Sequence, residues 1–497
     1  MATVMYRSTR GDSRLVSAAE AIVSGIAADG GLYVPTELPR LTVPPAELAA
    51  LSYQDLAGQI MSLFLPDFTA AELAAAVQQA YDDKFDTPLI APLVTHGEVH
   101  FLELFHGPTL AFKDMALSIL PYLLRLAAEK CGLQEEVVIL TATSGDTGKA
   151  ALEGFADVAG TKIIVFFPEH GVSPVQKRQM VTQTGANTHV VGIEGNFDDA
   201  QSGVKAMFTD AQLRRQLQQA GYVFSSANSI NVGRLIPQIV YYYSAYLQLV
   251  NQGKLQAGQS VNFVVPTGNF GNILAAYYAR QLGLPVHKLI CASNANKVLF
   301  DFFTTGIYDK ERPFFVTMSP SMDILVSSNL ERLLYHASNE DTAWVKAQME
   351  NLGRQGHYRV PETVRAAMSD FVGGYATEEA TAKAINSVYR QSGYLIDPHT
   401  AVAYAVLQDY LSVSGDTTPT VVVATASPFK FAKDVLEAVA GPQSSEDEFA
   451  LLFELAAVTG QPVPAAIADL QTKPVLHRTV CKKDDMRRVA AEILQLV

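Results

Sequence analysis

The chain has 497 residues, of which 48% are hydrophobic, and its 37 Lys and Arg against 50 Asp and Glu give a formal net charge of −13. This length predicts two or three domains with sizeable cores, and the composition is typical of a globular enzyme rather than a disordered chain. The acidic balance argues against general nucleic-acid binding, so an anionic substrate would need a local site to hold it.

Cysteine usage and hydropathy predict the compartment. Cys131, Cys291 and Cys481 are far apart and form no CxxC pair, which argues against a disulfide framework and is typical of a reducing cytosol. The chain begins without an apolar run of the signal-peptide type, and no uncharged apolar run reaches membrane-spanning length. We therefore expect a soluble, cytoplasmic protein. No group of His, Asp and Glu residues has metal-ligand spacing, so no metal is expected.

Residues 1–92 predict a mainly helical N-terminal domain. Apolar residues recur at helical spacing in residues 17–26, 45–51 and 70–81, and glycine and proline residues separate these stretches.

From Val99 onward, short β-branched runs alternate with glycine-rich turns and helices. Strands are predicted at residues 136–141, 162–167, 188–192, 222–224, 261–265, 289–292 and 421–424. Helices are predicted at residues 173–184, 197–209 and 232–249, with two more that end near residues 156 and 282. Such repeated units predict an α/β fold, in which parallel sheets carry helices on both faces and ligands bind at the carboxyl ends of the strands.

Lys113 lies in residues 106–114, His-Gly-Pro-Thr-Leu-Ala-Phe-Lys-Asp, where it follows Leu, Ala and Phe. Burial lowers the pKa of an amine and makes it nucleophilic, as a lysine that forms a Schiff base requires. The simpler interpretation is a surface lysine paired with Asp114, because Lys and Asp are rarely buried.

A glycine-rich turn at residues 268–272 lies between a predicted strand and a predicted helix. Its residues are Gly268, Asn269, Phe270, Gly271 and Asn272. Glycines let the backbone approach a phosphate closely, the helix N-terminus attracts an anion, and Asn272 is suited to cap the helix. A tight turn without a ligand is the alternative.

A second turn, at residues 143–148, follows the strand at 136–141. Thr143, Ser144, Asp146 and Thr147 precede or begin a helix there, and hydroxyls with free helix N–H groups suit a substrate carboxylate. The alternative is a helix cap formed by Ser144 or Asp146.

Two more segments carry candidate binding residues. Thr425 directly follows the strand at 421–424, and Lys430 lies five residues later. Ser229 and Asn231 precede a helix that holds Arg234 in its first turn, a pattern that suits recognition of a phosphate or carboxylate. Turn and capping roles are the alternative for Ser229 and Asn231.

The chain resembles the threonine synthases, enzymes that use pyridoxal 5'-phosphate (PLP) on the fold shared with tryptophan synthase β and cysteine synthase. The matching segments are residues 6–11, 28–35, 106–114, 319–332 and 397–401. The resemblance extends to about Phe431 and therefore covers most of the chain.

The resemblance implies a fold-type II PLP enzyme with two parallel-sheet domains and a helical N-terminal domain. The implied division is an N-terminal domain at 1–92, a large PLP-binding domain at 93–135 and 228–440, a small mobile domain at 136–227, and a linker with a helical tail at 441–497.

The resemblance also implies roles for the candidate residues. Lys113 would bind PLP, with Phe112 beside it, and turn 268–272 would hold the cofactor phosphate. Thr425 would offer a neutral hydroxyl to the pyridine nitrogen, which favours β and γ chemistry. The family often has His where Ser427 stands, so the role of that position stays open.

For the substrate, the resemblance implies that the turn at 143–148 holds the amino-acid end, and segments 319–332 and 397–401 would be structural or line the pocket. Arg234 is the first candidate for the substrate phosphate and Lys430 the second.

The expected reaction converts O-phospho-L-homoserine and water to L-threonine and phosphate, by γ-elimination and β-addition, in a monomer or homodimer. Two alternatives remain: a PLP-dependent phospho-lyase that releases a keto acid, and a non-catalytic protein that binds a phosphorylated metabolite.

Overall fold

The structure is a computed structural model that describes residues 4–496. The N-terminal region is mainly helical, as predicted, with one antiparallel pair formed by β1 (Tyr6–Ser8) and β2 (Tyr33–Pro35). Its helices are α1 (Ala18–Ser24), α2 (Pro45–Leu48), α3 (Tyr53–Phe64) and α4 (Ala70–Ala80). Helix α4 begins at a capping box, in which Thr69 and Glu72 satisfy each other's backbone N–H groups.

A six-stranded sheet forms the larger α/β unit. Its strands are β3 (Leu93–His96), β4 (Val99–Glu103), β9 (Val261–Pro266), β10 (Val286–Ser293), β13 (Phe371–Tyr375) and β14 (Thr420–Ala424). They lie in the order β13-β10-β9-β14-β4-β3, and every pair is parallel except β3 with β4. A separate antiparallel pair is formed by β11 (Ile307–Asp309) and β12 (His357–Arg359).

A second, five-stranded sheet is wholly parallel. Its strands are β5 (Glu136–Ala142), β6 (Thr161–Pro168), β7 (Thr188–Glu194), β8 (Tyr222–Ser225) and β15 (Thr479–Lys482). Their order is β15-β7-β6-β5-β8.

The remaining helices pack on both faces of the two sheets, on the N-terminal region or on one another. They are α5 (Asp114–Leu117), α6 (Leu120–Lys130), α7 (Asp146–Phe155), α8 (Pro174–Val181), α9 (Phe197–Thr209), α10 (Ala211–Gln219), α11 (Val232–Asn251), α12 (Gly271–Gln281), α13 (Val298–Thr305), α14 (Leu330–Ala337), α15 (Thr342–Gln355), α16 (Glu362–Ala367), α17 (Glu378–Ser392), α18 (Pro398–Ser414), α19 (Ala432–Ala440), α20 (Glu448–Thr459), α21 (Ala465–Ala468) and α22 (Met486–Ile493). Short 3-10 helices lie at Pro320–Met322, Pro428–Phe431 and Lys483–Asp485.

Alternating side chains show the two covered faces directly. Phe263 of β9 packs into one core with α11 and α12, whereas its neighbour Val264 packs into another with α17 and α18. In the small sheet, Ile139 and Leu140 of β5 likewise enter different cores. Strands buried on both faces are typical of parallel sheets with crossover helices, and the predicted fold class is confirmed.

The C-terminal segment is more than a helical tail. Helix α20 packs against α19, strand β15 extends the small sheet beside β7, and α22 packs against α9. The strand was not predicted because it is four residues long and buries only Cys481. Within residues 4–496, no helix combines the length and apolarity needed to cross a bilayer.

Candidate active site

The topology of the large sheet brings three predicted segments together. Strands β4, β14 and β9 are neighbours and run parallel, so their carboxyl ends lie at one edge of the sheet. Lys113 follows β4, Thr425 follows β14, and turn 268–272 follows β9. This edge is where parallel α/β sheets bind ligands.

Backbone contacts hold the Lys113 segment against the Thr425 segment. The N–H of Phe112 donates to the carbonyl of Thr425 at 2.8 Å, and the N–H of Ser427 donates to the carbonyl of Leu110 at 3.1 Å. The Thr425 side chain is buried, and its hydroxyl has no hydrogen-bond partner among residues 4–496. That hydroxyl therefore remains available to a ligand.

The amine of Lys113 has two polar neighbours. Its Nζ donates to Ser321 Oγ at 3.1 Å and lies 3.7 Å from Asp146 Oδ2. Burial, together with the positive charges of Lys430 and Arg234, lowers the pKa of Lys113 to about 8, against the charge of Asp146. The lysine is therefore poised to lose its proton close to neutral pH.

Asp114 is not the partner of Lys113, so the simpler interpretation of the segment is wrong. The Asp114 carboxylate accepts from the N–H and the hydroxyl of Thr109, at 2.9 and 2.5 Å.

Asp146 joins the two α/β units. Its Oδ1 accepts from Lys430 Nζ at 2.6 Å and from Gln176 Nε2 at 3.0 Å. Burial alone would raise the pKa of Asp146, but the charges of Lys430 and Lys113 hold it well below its ordinary value. Asp146 is thus a buried carboxylate, and it pairs with one of the two residues predicted to bind the substrate phosphate.

The turn at 143–148 is capped by a residue other than the expected ones. The hydroxyl of Thr143 accepts from the N–H groups of Gly145 and Gly148, at 3.0 and 2.8 Å, whereas Ser144 and Asp146 do not cap α7. Ser144 and Thr147 are half-buried, and their hydroxyls have no partner in the described part of the chain. These two hydroxyls are therefore free to bind a substrate carboxylate.

The turn at 268–272 approaches its neighbours closely. A Cβ at Gly268 would lie 2.6 Å from the carbonyl oxygen of Ser321, so only glycine fits there without a shift. Phe270 has φ of 65°, in the left-handed region, and the carbonyl of Asn269 accepts from the N–H and Nδ2 of Asn329 at 3.1 and 2.9 Å. Gly271 begins α12.

Asn272 leaves its amide nitrogen without a partner. Its Oδ1 accepts from the hydroxyls of Tyr241 and Tyr242, each at 2.6 Å. Its Nδ2 is buried and has no partner within residues 4–496. Asn272 lies inside α12 and does not cap it, so that expectation is wrong. A buried N–H₂ group without an acceptor is costly unless a ligand supplies one.

Ser229, Asn231 and Arg234 have different tasks. Asn231 caps α11, since its Oδ1 accepts from the N–H of Gly233, and its Nδ2 donates to the carbonyl of Ile22. Neither group is left for substrate, so Asn231 is a capping residue and not the predicted substrate-binding residue. Ser229 Oγ accepts from Asn329 Nδ2 at 3.0 Å and so lies beside turn 268–272.

Arg234 is buried and charged. One terminal nitrogen donates to the carbonyl of Ala227 at 3.0 Å, and Nε has no partner among the described residues. Burial lowers the pKa of Arg234 to about 10, so the guanidinium keeps its charge at neutral pH.

Three sequence families match the chain in succession. Residues 5–81 match the threonine synthase N terminus, residues 82–427 the pyridoxal-phosphate dependent enzymes, and residues 400–493 the threonine synthase C-terminal region. Threonine synthase of Pseudomonas aeruginosa is 41% identical over 443 residues, which cover 88% of this chain and 90% of that protein. The chain belongs to the threonine synthase family.

Other relatives agree with this membership. The crystal structure of PLP-bound threonine synthase from Brucella melitensis has a TM-score of 0.88 and 38% identity, with 99% of each chain covered. Human threonine synthase-like 1 is 40% identical over 495 residues, which cover 96% of this chain. The chain spans only 65% of the length of that human protein and 61% of its macaque counterpart.

PLP is the cofactor of this threonine synthase family member, and the residues present fit it. The unpaired Nδ2 of Asn272 and the N-terminus of α12 suit its phosphate. Lys113 offers an amine with a lowered pKa, and Thr425 offers a hydroxyl without a partner on the adjacent segment.

Sequence reasoning missed the residues that surround these groups. Ser321 contacts the Lys113 amine, Gln176 contacts Asp146, and Tyr241 and Tyr242 orient Asn272. Ser321 lies in a segment that was predicted to be structural or to line the pocket. Its contact with Lys113 spans 208 residues of sequence, and no local pattern indicates a contact of that kind.

Proposed function

We propose that the protein is a cytoplasmic threonine synthase that converts O-phospho-L-homoserine and water to L-threonine and phosphate. The observation that carries the proposal is the charge of the site: the buried cations Lys430 and Arg234 both act on Lys113, and Asp146 contacts the two lysines. This excess of buried positive charge suits a substrate whose phosphate is dianionic, and it lies next to an amine with a lowered pKa.

Phe112, Lys113, turn 268–272 and Thr425 would hold the cofactor, with Lys113 attached to it covalently. When bound, PLP supplies a conjugated ring that stores the electron pairs released at Cα and Cβ. The Lys113 amine then serves as the general base that removes the Cα proton, and its pKa of about 8 suits a group that must both accept and return protons.

The substrate would be held at both ends. Ser144, Thr147 and the N-terminus of α7 suit the α-carboxylate, because both hydroxyls and the helix dipole are available there. Arg234 is the stronger candidate for the phosphate, because Lys430 is already paired with Asp146 at 2.6 Å. Phosphate leaves Cγ, and water adds at Cβ only after that loss.

Water exclusion would come from the small domain, residues 136–227, closing on the large domain, residues 93–135 and 228–440. The ion pair between Asp146 of the first unit and Lys430 of the second supports a closed arrangement, since both side chains are buried at this contact between the units.

The test is product analysis with purified protein, added PLP and O-phospho-L-homoserine. Equal amounts of threonine and phosphate are expected. Phosphate with 2-oxobutyrate would make the protein a lyase, and no phosphate would remove this substrate from the proposal.

Two lysine variants make the test specific. Lys113→Ala should abolish turnover and prevent borohydride trapping of the cofactor on the peptide that contains residue 113. Lys288→Ala is the matched control, because Lys288 lies near the amino end of β10 and donates to Ser369 on the exposed surface. It should keep wild-type turnover.

A further inference from the structure

A chain of hydrogen bonds leads from helix α18 to the amine of Lys113. Asp397 Oδ1 lies 2.7 Å from His399 Nδ1, and His399 Nε2 lies 3.1 Å from the backbone nitrogen of Ser321. Ser321 Oγ then accepts from Lys113 Nζ at 3.1 Å. Asp397 and His399 are buried, at 0% and 3% exposure, so water does not compete for these bonds.

The proton positions in this chain follow from what each group can do. The Ser321 N–H can only donate, so His399 Nε2 is the acceptor and Nδ1 carries the proton that it donates to Asp397. Asp146 Oδ2 lies 3.4 Å from Ser321 Oγ and is the acceptor that the Ser321 hydroxyl proton faces. The Ser321 oxygen is therefore left to accept from Lys113.

The imidazole has little freedom to move. The Asp397 carboxylate also caps α18 through the N–H groups of His399 and Thr400. Phe431 packs edge-on against the His399 ring, with the centroids 5.0 Å apart. On the other side of Ser321, its carbonyl oxygen lies 2.6 Å from the position that a Cβ of Gly268 would take, so turn 268–272 restrains it too.

We propose that Ser321 positions the amine of Lys113, and that His399, oriented by Asp397, positions Ser321. A lysine side chain carries large rotamer entropy, and its amine must attack the cofactor and later meet substrate protons at fixed points. A rigid hydroxyl that accepts from the amine restricts where the nitrogen lies. The role in turnover rests on the proposed function, whereas the role in cofactor capture does not.

Ser321→Ala is the first test, read in two ways. The rate at which apoprotein captures PLP, followed by absorbance in stopped flow, should fall about tenfold, as loss of one hydrogen bond to a reacting group predicts. With O-phospho-L-homoserine, kcat should fall about 10- to 100-fold while KM stays within about twofold. Ser321→Thr, which keeps a hydroxyl, should restore most of both rates.

Ser319→Ala separates positioning from general stability. The Ser319 hydroxyl lies two residues away in the same segment and bonds to Asn294 at 3.0 Å, without reaching Lys113. This variant should lower the unfolding midpoint without slowing PLP capture. Wild-type capture and kcat in Ser321→Ala would overturn the proposal.

A double-mutant cycle tests the His399 link. His399→Leu should slow PLP capture about as much as Ser321→Ala does. The capture rate of the double variant should lie within about twofold of the rate of Ser321→Ala. Losses that multiply would show that His399 acts by another route, which overturns its part. His399→Gln offers an amide oxygen to the Ser321 N–H and keeps the test decisive if His399→Leu does not fold. If wild-type protein captures PLP but does not turn over the phosphate ester, the capture rates alone decide the inference.

Discussion

The two glycine-rich turns of the site share a pattern and differ in what they leave unused. Both lie between a buried parallel strand and a helix, at the carboxyl edge of a sheet. In turn 143–148, Thr143 caps the helix, Asp146 pairs with lysines of the large unit, and two side-chain hydroxyls stay unpaired. In turn 268–272, the Nδ2 of Asn272 is buried without a partner.

The glycines of the two turns make room for different things. A Cβ at Gly145 or Gly148 would meet the side chains of Gln176 or Thr143, within about 2.6 Å. A Cβ at Gly268 would instead meet backbone, the carbonyl of Ser321. A glycine in such a turn therefore indicates close approach but not the partner. The first turn brings a buried carboxylate to the site, whereas the second leaves a buried N–H₂ group for an anion.

The largest expected effect comes from a substitution in turn 143–148. Asp146→Asn removes the negative charge between Lys430 and Lys113 and leaves a buried ammonium without its counter-ion. Removing one partner of a buried pair costs about 3–5 kcal/mol, which urea unfolding of the apoprotein would detect.

The control makes the same acid-to-amide change on the surface. Glu492 pairs with Arg488 across one turn of α22, and both side chains are more than half exposed. Glu492→Gln should leave the unfolding midpoint near that of wild type. Equal shifts in the two variants would mean that the Asp146 pair contributes no more than a surface pair.

The next largest effect is expected from a substitution in turn 268–272. Asn272→Ala removes the unpaired amide nitrogen, and loss of a hydrogen bond to a charged phosphate should weaken PLP binding about 10- to 100-fold. Equilibrium titration of apoprotein with PLP measures this. Ser144→Ala, the matching truncation in the other turn, should leave PLP affinity unchanged and raise the KM for substrate. Loss of PLP affinity in both variants would remove the distinction between the turns.

The features of the fold and the site that could be predicted from the sequence are those that a short local segment determines. Lys113, Thr425 and turn 268–272 were predicted because short patterns carry them, and strand–turn–helix repeats indicated the fold. The strand order that makes their ends adjacent is set by crossovers between distant segments. Asn231 was assigned to substrate because capping and ligand binding use the same side chain, and only its contacts separate the two roles. The hydrogen bond between Lys113 and Ser321 joins residues 208 positions apart, and no sequence periodicity predicts a contact over that distance.

A smaller effect distinguishes Gly268 from Gly271 in turn 268–272 by the stability of their alanine variants. Gly268→Ala places a Cβ 2.6 Å from a backbone oxygen, which cannot rotate away, and overpacking of this kind costs about 1–3 kcal/mol. Gly271→Ala meets atoms no closer than 3.5 Å and should leave apoprotein stability unchanged or slightly raised. Thermal unfolding of the two apoproteins compares them directly, and equal midpoints would contradict the close approach at Gly268.

The smallest effect concerns the pH at which Lys113 reacts, which depends on the charge of Asp146 in turn 143–148. PLP capture needs the neutral amine, so the capture rate of wild-type apoprotein should rise with pH and level off above about 8, the lowered pKa of Lys113. Burial sets that value, and the charge of Asp146 opposes the lowering. In Asp146→Asn the ammonium loses a stabilising charge, so the pKa of Lys113 should fall and the midpoint of the profile should move to lower pH. Capture at neutral pH would then be faster in a less stable protein. A midpoint that moves to higher pH would show that the charge of Asp146 does not raise the pKa of Lys113. Turn 143–148 would then contact the lysine without setting the pH at which it reacts.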